Sequence, residues 1–103
     1  MRFLLNANIP VEAGNAAAKA GKLGGTIQAI LADLQPAAVY FTDEHGQRTA
    51  FIFRHRQDAS QIPAVAEPWC LAFNASVEIH PVMVPEDLLK AGPAIEQAVT
   101  KYR

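Results

Sequence analysis

The chain has 103 residues, half of them hydrophobic and 18% charged, with a formal net charge of -1. That length suits one domain over residues 1–103 and excludes two independent cores. The apolar fraction excludes a long disordered tail, and the lack of a basic stripe argues against a nucleic-acid partner.

Residues 3–9 alternate, with Phe3, Leu5, Ala7 and Ile9 on one face and Leu4, Asn6 and Asn8 on the other. Period two stopped by Pro10 predicts a strand. Pro10 then opens a helical stretch through Glu12 and the Ala16-Ala17-Ala18 run, and Gly21, Gly24 and Gly25 predict a break in it. Beyond the break, Leu23, Ile27, Ile30, Leu31 and Leu34 keep the spacing of one helix face up to Pro36.

Residues 38–42 read as a second strand and residues 49–56 as a third. The short link Glu44-His45-Gly46-Gln47 makes them a hairpin, with Gly46 free to take a positive φ. Asp58 or Ser60 can cap the next helix, whose apolar positions are Ile62, Ala66, Trp69, Cys70 and Phe73. Pro63 suits its first turn, and Pro68 predicts a kink or a division. Residues 76–82 form a fourth strand, with Pro81 at an edge or bulge. A last helix runs from Pro85 or Glu86 to Lys101, with a possible break at Gly92-Pro93.

The order β-α-β-β-α-β plus a C-terminal helix predicts an α+β, ferredoxin-like sandwich. Crossover rules are expected to place strands one and three side by side and parallel, with strands two and four outside. Phe3, Leu5, Ala7, Val39, Phe41, Phe51, Phe53, Val77 and Ile79 form the apolar set for the helix-covered face. The opposite face then carries Leu4, Asn6, Asn8, Tyr40, Thr42, Ile52, Arg54, Arg56, Glu78 and His80. Such a face is either wet or packed against a second copy about a two-fold axis.

Element order, size and the extra helix resemble the dimeric α/β-barrel superfamily. The segments Ser60-Gln61-Ile62-Pro63-Ala64-Val65-Ala66-Glu67-Pro68-Trp69, His80-Pro81-Val82-Met83 and Pro85-Glu86-Asp87-Leu88 are similar to those of small bacterial proteins within it. The resemblance covers nearly the whole chain, but its motifs are not catalytic signatures. It implies a homodimer joined through the open sheet faces around a semi-polar cavity. The superfamily includes cofactor-free monooxygenases, lactone isomerases, haem-degrading enzymes, chlorite dismutase-like enzymes and stress-responsive proteins, and fold does not choose among them.

Within that frame, Asn6, Asn8, Tyr40 and Arg54 are the candidate ligand-binding residues, and Glu78 and His80 the candidate acid/base pair. Arg54 offers donors suited to a planar anion. An ion pair with Glu78 across an interface competes for the same charge. Glu78 and His80 are two residues apart and so share a strand face, where they can move a proton or complete a hydrogen-bond network. The pocket reading is a small-molecule binder, with cofactor-independent oxygenase or isomerase chemistry as its enzymatic form. The alternative is a non-enzymatic dimerisation or interaction module.

His45 is expected in a solvated turn and His55 near a strand end, and the three histidines show no metal-ligand spacing. No residue points to a particular cofactor. The lone Cys70 excludes an internal disulfide framework and suits a reducing compartment. The opening apolar run, Phe3-Leu4-Leu5, is shorter than a signal-peptide core of about 7–15 residues. No stretch approaches the ~20 apolar residues of a membrane span. A cytoplasmic protein with no membrane or nucleic-acid partner is expected.

Overall fold

A computed structural model describes residues 1–55 and 58–103. The elements are β1 (Arg2–Ile9), α1 (Val11–Lys19), α2 (Leu23–Leu34), β2 (Ala38–Glu44), β3 (Gln47–His55), α3 (Ile62–Phe73), β4 (Ser76–Pro81), α4 (Pro85–Lys90) and α5 (Gly92–Tyr102). A 3-10 turn at Ala59–Gln61 leads into α3.

Local chemistry sets the boundaries. Pro10 cannot extend the ladder of β1, but its fixed φ suits the start of α1, and Gly14 N–H donates to its carbonyl at 2.9 Å. Gly21 takes φ +71° between α1 and α2, so the expected break falls there, and Gly24 and Gly25 lie inside α2. Gln35 ends α2 in the left-handed region just before Pro36, and Asn74 ends α3 in the same way. Pro68 does not divide α3, which runs on from Ile62 to Phe73. The carboxylate of Asp58 accepts the Ser60 amide at 2.9 Å and also its hydroxyl, which holds the Asp58 carboxyl below the usual aspartate range. This turn is therefore held above the ordinary aspartate range and loosens only as pH falls through that lowered value.

β2 and β3 are joined by two residues of positive φ, His45 at 55° and Gly46 at 78°. Such a turn matches the right-handed twist of the strands, and asparagine tolerates its first position better than histidine. His45→Asn is expected to raise unfolding free energy by about 0.5–1 kcal/mol. Thermal melts would show this as a higher midpoint; a lower one would remove this account of the turn.

The sheet order is β2-β3-β1-β4. Strands one and three are neighbours and two and four lie outside, but every neighbouring pair is antiparallel, including β1 with β3. The expected parallel pairing is corrected for a simple reason. The α1–α2 connection carries the chain past an empty slot, and the hairpin then turns β3 back into that slot against the direction of β1. The α+β class stands, with one four-stranded antiparallel sheet and five α-helices among the described residues. The dimeric α/β-barrel fold is corrected: the sheet is open, with β2 and β4 as its two free edges.

Ladder partners place side chains on a common face. Leu5 stands between Ile52 and Ile79, and Ala7 between Ala50 and Val77. This face carries the core, where Phe3, Leu5, Ala7, Ile9, Ala50 and Ile52 meet Ile30 and Leu34 of α2 and Val65, Trp69 and Phe73 of α3. The expected parity of β3 is therefore off by one residue. Phe51 and Phe53 are on the open face, and Ala50 and Ile52 are in the core. Phe41 is on the helix side as expected, yet is 58% exposed near the β2 edge.

The chain is long for its mass. Its extents are 58 × 28 × 21 Å, and its radius of gyration is 17.2 Å, against about 13 Å for a compact domain of this size. The length comes from the C-terminal arm. α5 packs chiefly against α4, buries no residue, and exposes Ile95, Val99 and Tyr102.

Candidate functional site

The sheet face that the helices leave bare is the one expected to carry chemistry. Across its middle runs a row of ladder partners, Tyr40-Phe51-Asn6-Glu78, one from each strand in spatial order. Beside it lies the row Ala38-Phe53-Leu4-His80. Tyr40 and Phe53 meet edge to face, with centroids 6.4 Å apart and planes at 82°. The centre of the face is thus aromatic and aliphatic, and the polar groups stand around it.

Glu78 and His80 do come together. His80 Nε2 is 3.1 Å from Glu78 Oε2, with the side chains 54% and 64% exposed for His80 and Glu78 respectively. A pair this open to water contributes little to stability, about 0–1 kcal/mol. Asn6 is nearly buried, at 8% exposure, and its Nδ2 donates to Glu44 Oε1 at 3.2 Å. Asn8 Oδ1 accepts from the Thr49 hydroxyl at 2.7 Å. Its oxygen is thereby engaged by a buried neighbour.

The rest of the expected constellation is spread apart. Tyr40 is on the β2 edge and Glu78 on the β4 edge, three strand spacings or about 14 Å away. Arg54 is the ladder partner of Phe3 and lies on the helix side of the sheet, opposite to the face expected for it. Ile52 is moved in the same way, and Arg56 lies outside the described residues. His55 moves the other way, onto the open face, where Arg2 Nη2 is 3.4 Å from its Nε2.

The expected semi-polar cavity is corrected as well. The sheet face is an open surface, and three hollows among the described residues lie elsewhere. One, of about 170 Å³, is on the helix side among Ile9, Ile27, Phe41 and Trp69. Another lies where Met1 and Arg2 meet residues 81–83 and Asp87, and a third runs along α5 itself. Among the described residues no group of histidine, cysteine and carboxylate side chains could hold a metal ion. None of their helices is long and apolar enough to cross a membrane.

The residues of this face that escaped the sequence reading include Phe51, Phe53, Thr49, His55 and Glu44. The parity of those on β3 is set by pairing with β1, which no local pattern reveals. The arm residues Leu88, Leu89, Ile95, Val99 and Tyr102 also went unremarked, although Ile95, Val99 and Tyr102 follow helical spacing. One atom of the face has no visible use. Asn6 Oδ1 is buried and accepts no hydrogen bond.

The small-molecule barrel reading thus loses its closed sheet and its cavity, and the homodimer that the resemblance implied loses its supporting frame. No family model matches the chain, and no curated protein matches it.

Proposed function

We propose that this chain works by assembly: its C-terminal arm joins it to a second copy of itself, without closing the sheets into a barrel. The observation that carries this reading is the exposed area. The chain presents 7089 Å² at a mass of 11.1 kDa, where a folded monomer of that mass presents about 5,700 Å². The surplus of about 1,400 Å² exceeds the ~800 Å² that each partner gives to a standard interface.

The surplus is also of the right kind. Leu88, Leu89, Ile95, Val99 and Tyr102 are all more than half exposed on α4 and α5. Exposed apolar side chains gathered on one arm in this way mark an interaction surface. A short amphipathic helix gains most of its stability from packing its apolar face, and α5 packs only against the six-residue α4 to any extent. Two copies related by a two-fold axis would cover both strips in one closed assembly. The wide separation of Tyr40 from Glu78 supports assembly over convergent chemistry at the sheet face.

Light scattering or sedimentation at micromolar concentration tests this. The expected mass is twice 11.1 kDa. Ile95→Asp with Val99→Asp should return it to the single-chain value while the far-ultraviolet spectrum stays folded. A single-chain mass for the unmodified protein would overturn the proposal.

A further inference from the structure

We infer that the arm of one copy seats on the bare sheet face of the other, with α5 lying across the central row Tyr40-Phe51-Asn6-Glu78. This rests on the self-association proposed above and names its docking surface.

The dimensions agree. α5 has 11 residues and is about 16 Å long, while four strands span about 14 Å from edge to edge. The apolar strip Ile95, Val99 and Tyr102 has i, i+4, i+7 spacing, and the face offers Leu4, Phe51, Phe53 and Tyr40 to it. Tyr40 is 63% exposed in the separate chain, which is a large apolar area to leave in water.

The polar groups agree too. The arm's strip ends in the Tyr102 ring, flanked by the cations Lys101 and Arg103. The row around Asn6 carries Glu78, and Glu44 is bonded to Asn6 itself. An anionic surround meets a cationic helix end, which orients the arm as well as attracting it.

The arm does not serve its own sheet in this way. It leaves β4 at Pro81, on an edge, and α4 carries it outward until the longest dimension reaches 58 Å. The seat belongs to a second copy, and reciprocity fills both faces at once.

Disulfide trapping tests the seat. In a Cys70→Ala background, Val99→Cys is combined with Phe51→Cys, which is central and so reachable whichever way the helix lies. A control combines Val99→Cys with Leu71→Cys, 79% exposed on α3. Mild oxidation is expected to yield a covalent dimer from the 51–99 pair at least roughly tenfold faster than from the 71–99 pair. In addition, Lys101→Glu with Arg103→Glu should weaken the dimer roughly tenfold or more, because it sets like charge against Glu44 and Glu78. A dimer of normal mass in which both pairs react equally would overturn the seat and leave self-association standing. A 51–99 link formed within one chain would also overturn it, by showing the arm folded on its own face. A single-chain mass before oxidation would overturn the underlying assembly reading instead.

Discussion

Trp69→Ala is expected to lower unfolding free energy by about 3–5 kcal/mol, the range for emptying a large aromatic site in a packed core. Trp69 is fully buried on α3, with Phe73 at 6.3 Å between ring centroids and Val65 one turn back. It also borders the 170 Å³ hollow among Ile9, Ile27 and Ala50. That hollow opens toward solvent beside the exposed Phe41, so the whole of that range applies. A domain of this size has about 5–15 kcal/mol in total, so the variant should sit close to unfolding. Trp69→Phe should behave differently. The indole Nε1 is buried with no acceptor, and an unmet donor costs about 1–3 kcal/mol. Phenylalanine gives up volume but removes that cost, so the two effects offset and the net loss should stay under about 1.5 kcal/mol. Urea titration of both variants separates these terms. Equal losses would mean that the N–H carries no cost, and a loss under about 1 kcal/mol for the alanine would remove the packing account itself.

The second large effect compares two adjacent residues. Ile52→Ala should cost about 2–5 kcal/mol, because Ile52 is buried between Leu5 and Val39 on the helix side. Phe51→Ala removes a larger side chain and should nevertheless cost less, because Phe51 is only half-buried on the bare face. A core loss is independent of protein concentration, whereas a loss through assembly depends on it. Urea midpoints at two concentrations distinguish the cases. If Phe51→Ala proved the costlier at high dilution, the register of β3 would be wrong by one residue and every side chain on it would change faces.

That one-residue parity is also where the sequence was least readable. Residues 50–53 read Ala-Phe-Ile-Phe, an unbroken apolar run, and period two has no preferred phase in such a run. Choosing the aromatic phase as core drew Arg54 onto the open face along with Ile52. Burial is decided by β1, whose alternation is clean because Asn6 and Asn8 interrupt it. Elements bounded by proline, glycine or left-handed caps were legible: the break at Gly21, the stop before Pro36, and the hairpin at His45-Gly46. Of the candidate site, the nearness of Glu78 and His80 was legible because two residues on one strand need no tertiary information. The separation of Tyr40 from Glu78 was not, since it depends on which strands stand between them. The course of the arm was hidden for a related reason. Helical spacing shows that α5 has an apolar strip but not which surface covers it.

The strand order also bears on synthesis at the ribosome. β1 is made first, yet both of its ladder partners, β3 and β4, come from the later half of the chain or its close approach. The hairpin of β2 and β3 is local and can close as soon as it emerges. β1, carrying Phe3, Leu5 and Ile9, must wait at least until β3 is complete at His55. At about 5–20 residues per second that is an interval of some seconds in which the most buried strand of the finished protein is a bare apolar segment of the nascent chain. The final strand then has to find the remaining side of β1, so the sheet is complete only when β4 joins, after the hairpin and α3 have formed.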